Sequence, residues 1–195
     1  MLDDMPAYLH QPAAAAAATI PDAGSLTTAP LRHRLRITLD APVAQVWALI
    51  GDLARLPEYS AGLDRVEVKK NATGTPVEYT CHFKPQEGAD GIVTHAEPIP
   101  WYEPGRGWAS TGSDRPDAFG VQDSLHLVTV APAPEGSTVS WVVHYNVADP
   151  AALDAYRTSL VEALTDIAQR LTARFGGATL EQYVDSPAGP GPAKP

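Results

Sequence analysis

The sequence is poor in cysteine, in basic residues and in long apolar runs. One cysteine, Cys81, stands among 195 residues, which excludes an internal disulfide and a zinc site built from several cysteines. The 14 lysines and arginines are outnumbered by 23 acidic residues, for a formal net charge of −9. Nucleic acid is therefore not an expected partner, because neutralising phosphates needs a basic surface. No apolar run approaches the roughly 18 residues of a membrane helix, so no membrane span is expected.

Several motifs that indicate a known chemistry are also missing. The chain has no glycine-rich phosphate loop, no HExxH zinc motif and no GxSxG nucleophile motif, so nucleotide-dependent, zinc-protease and serine-hydrolase activities lose their usual support. We expect neither a cofactor nor a metal. The N-terminus carries Asp3 and Asp4, and the alanine run 13–18 is too short for the core of a signal peptide. The expected location is therefore the cytoplasm.

Residues 149–175 predict one long amphipathic helix. Asp149 suits the N-terminal cap and Pro150 the first helical position, where no amide donor is missed. Apolar residues recur at steps of three and four, which places them on one face: Leu153, Tyr156, Leu160, Leu164, Ile167, Leu171 and Phe175. Gly176 and Gly177 end the helix. It spans on the order of 40 Å at 1.5 Å per residue, so its apolar face needs a long partner surface.

The chain before this helix predicts a strand, two short helices and a series of strands. Residues 31–40 alternate between apolar and polar side chains, as a half-buried strand does. Two short helices follow between residues 43 and 57. Candidate strands separated by turn residues then occupy 63–70, 77–84, 92–99, 106–111, 121–130 and 138–147. Successive strands joined by tight turns indicate an antiparallel sheet.

Both ends of the chain differ in composition from this region. Residues 1–30 contain scattered prolines and no sustained period, which predicts a flexible tail or a strap of unknown role. Residues 178–195 become rich in proline and glycine and are expected to form a disordered tail. The predicted folded domain therefore covers residues 31–177.

This order of elements resembles the START and polyketide-cyclase superfamily, also called SRPBCC. The segments that carry the resemblance are 41–43 (APV), 46–50 (VWALI), 51–53 (GDL), 56–59 (LPEY), 101–108 and 136–145. Tyr59 is a mild departure, because the family more often has tryptophan there. The resemblance implies the α+β helix-grip fold: a curved antiparallel sheet of about seven strands wrapped around the long C-terminal helix, with two short helices after the first strand. It also implies a cavity between sheet and helix.

A His-Glu pair in the strand 92–99 is the first candidate for chemistry. Because successive side chains of a strand point to opposite faces, His95 and Glu97 share one face, and Thr94 and Ala96 share the other. Under the register that the resemblance implies, His95 and Glu97 face the cavity, where an apolar setting can shift a pKa and make proton transfer useful. The alternative places both on the solvated convex face.

Asp123 is the third candidate acid or base. Leu125 and Leu127 mark the inward face of its strand, which carries Asp123 inward with them and leaves His126 outside. Asp123 then serves proton transfer, or it simply lies at the frayed end of the sheet. His126 and His144 are predicted to face each other on the outside of a hairpin. Two exposed histidines without a third ligand are expected to be surface residues, not a metal site.

Large apolar side chains are the candidates for contact with a ligand. These are Tyr79, Trp101, Trp108, Trp141, Tyr145, Leu153, Tyr156 and Leu160. A lining of aromatic rings with few polar groups suits a flat or polycyclic hydrophobic molecule. Arg106, in the turn 104–107, either guards an entrance for an acidic ligand or is a solvated turn residue.

Three functions fit these expectations. The first is a cyclase or aromatase of biosynthesis that holds a polyketide-type intermediate in the cavity while His95, Glu97 or Asp123 moves a proton during ring closure or loss of water. The second is a non-catalytic carrier or sensor of a hydrophobic ligand or lipid, which needs only the cavity. The third is an interaction module that uses the tails and the sheet edge. The sequence leaves the ligand, the reaction and the oligomeric state open.

Overall fold

The computed structural model describes residues 19–85, 94–113, 115–117 and 120–184. Within these ranges two α-helices form, α1 (Val43–Ile50) and α2 (Leu153–Phe175), with 3-10 helices at Ala23–Ser25, Leu53–Glu58 and Pro150–Ala152. The strands are β1 (Leu31–Leu39), β2 (Leu63–Lys70), β3 (Pro76–Phe83), β4 (Thr94–Pro98), β5 (Trp101–Glu103), β6 (Gly107–Thr111), β7 (Val121–Ala133), β8 (Gly136–Val147) and β9 (Ala178–Val184). None of the helices in the described ranges has the length and apolar character needed to cross a membrane.

The strands form two antiparallel sheets that share one core with α2. The larger sheet has the order β5-β6-β7-β8-β1-β9, and the smaller has the order β2-β3-β4. Helix α2 follows β8 in the chain and packs against β1. The predicted α+β helix-grip fold is therefore confirmed. The strand-turn-strand unit that the resemblance implied at 101–108 is also present, as β5, a turn containing Gly105 at φ 78° and β6.

The predicted apolar face of α2 is the face that the protein buries. Leu160, Leu164, Ile167 and Leu171 are buried in the main core, and Leu153, Tyr156 and Phe175 pack against it at partly buried positions. Each fully buried leucine contributes roughly 1.5–3 kcal/mol relative to an exposed one. At the start of the helix, Asp149 Oδ1 accepts a hydrogen bond of 3.0 Å from the Ala151 amide, so the expected cap is in place.

The alternation predicted for β1 and β8 is confirmed. In β8 the side chains of Val139, Trp141, Val143, Tyr145 and Val147 are buried, and the residues between them are partly exposed. The buried file of β1 runs opposite to them, because Leu35 pairs with Trp141 and His33 with Val143. His33 therefore lies in the core, and its side chain is fully buried.

Residues 178–184 differ from the disordered tail expected for 178–195. They form β9, which extends the larger sheet by pairing with the edge of β1. Glu181 lies 3.3 Å from Arg36, and the Arg34 guanidinium stacks over the Tyr183 ring at 5.5 Å. Gln182 reaches α2 with a hydrogen bond of 3.2 Å to the Val161 carbonyl. An unpaired strand edge can recruit a polar segment that has no hydrophobic period of its own. Residues 185–195 lie outside the described residues.

The described part of the N-terminal segment, residues 19–30, packs against the larger sheet. Residues 19–30 contain one 3-10 turn and then meet the start of β7. Thr27 Oγ1 donates a hydrogen bond of 2.7 Å to the Asp123 carbonyl, and Thr27 itself is buried. Thr27 therefore fastens this segment to β7, and residues 1–18 lie outside the described residues.

Candidate active site

His95 and Glu97 point into the protein. In the ladder between β3 and β4, Glu97 stands opposite Tyr79 and His95 opposite Cys81. Residues directly opposite each other in an antiparallel pair share a face, and Tyr79 and Cys81 belong to the core. Glu97 is only 3% exposed. The inward alternative for this pair is therefore the correct one, while its role in catalysis stays a prediction.

The Glu97 carboxylate is the centre of a buried hydrogen-bond network. Tyr79 donates its hydroxyl to Glu97 Oε2 at 2.7 Å, and Ser110 donates its hydroxyl to the same oxygen. The two hydroxyls are also 3.0 Å apart. The other oxygen, Oε1, lies 2.9 Å from His95 Nε2 and 4.0 Å from His126 Nε2. An ionised carboxylate in an apolar core persists only when donors surround it in this way.

A second carboxylate faces the far side of the His95 ring. Asp117, in the loop between β6 and β7, lies 3.5 Å from His95 Nδ1 through its Oδ2 atom. Its Oδ1 atom accepts a hydrogen bond of 2.9 Å from the Val121 amide, which positions the loop. We call Tyr79, His95, Glu97, Ser110, Asp117 and His126 the Glu97 cluster.

The network shifts the pKa values of its members in opposite directions. The hydrogen bond to Glu97 raises the pKa of His95, against the effect of partial burial, and the charges of Glu97 and Asp117 raise it further. Burial alone raises the pKa of Glu97, but the electrostatic influence of His126 and the hydrogen bonds from His95 and Ser110 reverse this, so the pKa of Glu97 lies well below its usual range. The arrangement therefore favours an imidazolium beside a carboxylate.

The prediction that His126 faces outward is wrong. In the ladder between β7 and β8, His126 stands opposite Val143, which belongs to the buried file of β8, and Leu125 stands opposite His144. Leu125 and Leu127 therefore lie on the face opposite to the buried file of β8, and a β-bulge between Gln122 and Leu125 precedes them in β7. His126 and His144 therefore lie on opposite faces and cannot form a pair. Within the described residues, no group of three or more His, Cys, Asp or Glu side chains could hold a metal ion.

Asp123 lies in this bulge and not in the inward file predicted for it. Its φ of 51° is in the left-handed region, which few residues other than glycine adopt. Asp123 Oδ2 accepts a hydrogen bond of 2.7 Å from the Thr28 hydroxyl, and Oδ1 accepts one of 3.1 Å from Thr27. The carboxylate that was a candidate acid or base therefore anchors the N-terminal segment.

Most of the predicted ligand-contacting side chains form one aromatic wall next to the Glu97 cluster. Tyr79, Trp108, Trp141, Tyr145 and Leu160 are buried, and Leu153 and Tyr156 pack beside them. Trp108 meets Trp141 in an edge-to-face contact with ring centroids 5.6 Å apart. The rings of Tyr145 and Tyr156 are 5.0 Å apart. The expected aromatic side chains therefore lie together in the core, and their role in binding stays a prediction.

Trp101 and Arg106 do not join this wall. Trp101 stands opposite Ala109 in the ladder between β5 and β6, on the face opposite to Trp108 and Ser110. Arg106 lies in the β5–β6 turn at 3.2 Å from Glu103, so its guanidinium forms an ion pair there. The sequence pattern did not reveal the orientation of Trp101, because the strand is short. Adding or removing one residue in the adjacent turn would place Trp101 on the other face.

The cluster is open to solvent on one side. The side chains of His126, His95 and Asp117 are 24%, 17% and 13% exposed, whereas that of Glu97 is 4% exposed. His126, His95 and Asp117 are therefore more exposed than the carboxylate at the centre of the cluster. A separate surface cavity of about 440 Å³ lies near Trp47 and Tyr102 and includes no member of the Glu97 cluster.

Sequence reasoning missed three members of the cluster. Ser110 follows Trp108 at the spacing of one strand face, so alternation alone could have found it. His126 was missed because the leucines on either side of it lie on the face opposite to the cluster. Asp117 lies in an irregular loop, where no periodic signal exists. Sequence patterns are expected to overlook such residues wherever a site combines strands with a loop.

Comparison with known proteins assigns the chain to a family. Residues 31–176 match the family described as polyketide cyclase / dehydrase and lipid transport, and the chain belongs to that family. This confirms the resemblance noted in the sequence. A search of curated protein sequences found no match to the chain.

Solved structures show the same fold at low sequence identity. The chain is similar to the di-domain ARO/CYC protein StfQ of the steffimycin biosynthetic pathway, with a TM-score of 0.59, 11% identity and coverage of 73% of this chain and 50% of StfQ. It is also similar to a protein from Nitrosomonas europaea, with a TM-score of 0.56, 14% identity and coverage of 74% and 93%. A protein from Rhodobacter sphaeroides gives a TM-score of 0.55, 17% identity and coverage of 74% and 92%.

Proposed function

We propose that the protein binds a hydrophobic, aromatic or polyketide-type carbonyl compound and catalyses ring closure or loss of water by acid-base chemistry at the Glu97 cluster. The observation that carries the proposal is the buried Glu97 carboxylate, which His95, Tyr79 and Ser110 all contact. The membership in a family described by cyclase and dehydrase activity agrees with it.

A buried charge of this kind is difficult to explain by ligand binding alone. Taking an ion out of water costs several kcal/mol even after the protein relaxes. The aromatic wall can bind a hydrophobic molecule by burial and stacking without any charge. The ionised pair therefore argues for a reaction in which a proton moves, since that is the task for which such pairs are suited.

His95 has the surroundings that proton transfer requires. Loss of water from a β-hydroxy ketone breaks the C–H bond next to the carbonyl and the C–O bond of the hydroxyl, and forms a C=C bond. At a pH above the raised pKa of His95, the neutral ring accepts the C–H proton at one ring nitrogen, and the imidazolium then returns a proton to the departing hydroxyl, which leaves as water. Glu97 and Asp117, at 2.9 and 3.5 Å, stabilise the imidazolium between the two steps.

The test uses a β-hydroxy ketone whose product is easily seen. The probe 3-hydroxy-3,4-dihydronaphthalen-1-one loses one water to give 1-naphthol, which is followed by its absorbance. We expect wild-type turnover, and a fall in kcat of roughly 10²- to 10⁴-fold in His95→Asn and Glu97→Gln. The matched controls are His82→Asn and Glu67→Gln, because His82 and Glu67 form another His-Glu pair at 3.2 Å on the same sheet. These controls should keep wild-type kcat.

The alternative function is that of a carrier for a hydrophobic ligand or lipid. The aromatic wall and the lipid-transport part of the family description favour it. A wild-type protein that leaves the probe unchanged, but that carries a lipid in native mass spectrometry after purification, would establish the carrier and overturn the enzyme. Equal turnover by wild type and His95→Asn would also reject catalysis at the Glu97 cluster.

A further inference from the structure

Two imidazole rings meet at Glu97, and they differ in the group that holds their far nitrogen. His95 Nδ1 faces the Asp117 carboxylate at 3.5 Å. His126 Nδ1 instead faces the indole nitrogen of Trp141 at 3.3 Å. A carboxylate accepts hydrogen bonds, whereas the indole N–H only donates them. The two rings therefore have different places for their protons.

The indole determines the tautomer of His126. Because Trp141 donates to Nδ1, that nitrogen must carry a lone pair, and the single proton of the neutral ring must be on Nε2. This is the nitrogen that lies 4.0 Å from Glu97 Oε1. A protonated Nε2 can donate a hydrogen bond, but it can neither accept a proton nor coordinate a metal.

The packing around Trp141 keeps the indole in this position. Trp141 is buried in the core of β8, and its ring meets Trp108 edge to face. The His126 and Trp141 rings cross at 82° with centroids 6.5 Å apart. The charged groups that act on His126 are Glu97 and His95, and they have opposite effects; burial, the largest influence, lowers the pKa of His126. A neutral ring is consistent with the tautomer argument.

We propose that Trp141 is a positioning residue that fixes His126 as a neutral Nε2–H hydrogen-bond donor, aimed at the substrate oxygen that gains negative charge in the reaction proposed above. The tautomer itself rests on geometry alone, and its use on a substrate rests on the proposed function. His95 and His126 then have separate tasks, since one moves the proton and the other holds the oxygen.

The first arm of the test reads the tautomer directly. Two-bond ¹H–¹⁵N spectra of the ¹⁵N-histidine-labelled wild-type protein at pH 7.5 should show His126 with an unprotonated Nδ1 and a protonated Nε2. A predominant Nδ1–H tautomer or an imidazolium would overturn the proposal. Trp141→Phe removes the donor and should move His126 towards a mixture of tautomers. The matched control is Trp101→Phe, which should leave the tautomer unchanged, because Trp101 stands opposite Ala109 on the other face of the sheet from His126.

The second arm asks whether the donor acts on the substrate. With the naphthol-forming probe, Trp141→Phe and His126→Leu should lower kcat by about 10²-fold, as removal of one oxyanion donor does. His126→Gln should recover part of kcat, because its amide N–H can replace Nε2–H. Full kcat in His126→Leu would overturn the role in the reaction. If the wild type does not convert the probe, the proposed reaction fails, while the spectra still decide the tautomer.

Discussion

Two His-Glu pairs lie on the smaller sheet, one on each of its faces. His95 and Glu97 are 2.9 Å apart on the inner face, and His82 and Glu67 are 3.2 Å apart on the outer face. The distances are similar, but the Glu97 side chain is 4% exposed and the Glu67 side chain 64%. The two histidines are similarly buried, at 11% exposure for His82 and 17% for His95, so the pairs differ in the carboxylate, which is solvated on the outer face and buried on the inner face.

This difference shows what burial contributes to chemistry. Water and salt screen a surface pair, so such pairs contribute about 0–1 kcal/mol to stability. In the core, the carboxylate keeps its charge only because Tyr79, Ser110 and His95 donate to it. The consequence is a raised pKa for His95 and a lowered pKa for Glu97. Function therefore follows from the surroundings of the pair and not from its composition.

The largest expected effect is on stability when the inner carboxylate is removed. Glu97→Ala leaves buried donors without an acceptor and an imidazole without its partner, so we expect a loss of about 3–5 kcal/mol in the free energy of unfolding. Glu67→Ala should cost less than about 1 kcal/mol. Urea denaturation of both variants measures the difference. Equal losses in the two variants would contradict the distinction between the two faces.

A third carboxylate should give an effect between these two. Asp123 is partly exposed and binds Thr27 and Thr28 at the β-bulge. Asp123→Ala removes these bonds and keeps a side chain at φ 51°, so we expect a loss of about 1–3 kcal/mol and faster amide hydrogen exchange at residues 27–29. Asp123→Gly relieves the backbone strain and should lose less. If Asp123→Ala leaves exchange in this segment unchanged, the anchoring role is wrong.

The same contrast explains which parts of the site could be read from the sequence. Alternation placed Tyr79, Cys81 and the buried file of β8 correctly, because β8 keeps an unbroken period of two and β3 keeps it from Tyr79 to Cys81. Alternation left open which face His95 and Glu97 occupy, because the strand is short and neither of its faces is clearly more apolar than the other. The inner position became clear only from the pairing of β4 with β3.

Alternation between apolar and polar residues could not predict features that interrupt the two-residue period of a strand. The bulge in β7 takes Asp123 out of the alternation, and its only sign in the sequence is a polar stretch that fits either face. Leu125 and Leu127 lie on the face opposite to the Glu97 cluster, so these two leucines indicate the wrong face for His126. Strand β9 has little hydrophobic pattern because it is held by main-chain pairing and by Glu181, Gln182 and Tyr183. The helix α2 was the easiest element, since its long apolar face and its end signals agree.

The pKa of His95 has a consequence for stability at different pH values. Its folded pKa is raised above 6.5, so its contribution to stability is complete below pH 6.5 and is lost as the pH rises through the folded value. The folded pKa of Glu97 is lowered from 4.5, so its contribution is present above pH 4.5 and is lost as the pH falls through the folded value. The network should therefore stabilise the protein most between about pH 4.5 and 6.5.

Titration of His95 by NMR is the most direct test of the buried ion pair. Following the His95 ring signals from pH 5 to 9, we expect a pKa above 6.5 in the wild type and a clear decrease in Glu97→Gln, which removes the hydrogen-bonded charge. Glu67→Gln, on the outer face, should leave the His95 titration unchanged. A His95 pKa at or below 6.5 that does not respond to Glu97→Gln would contradict the account.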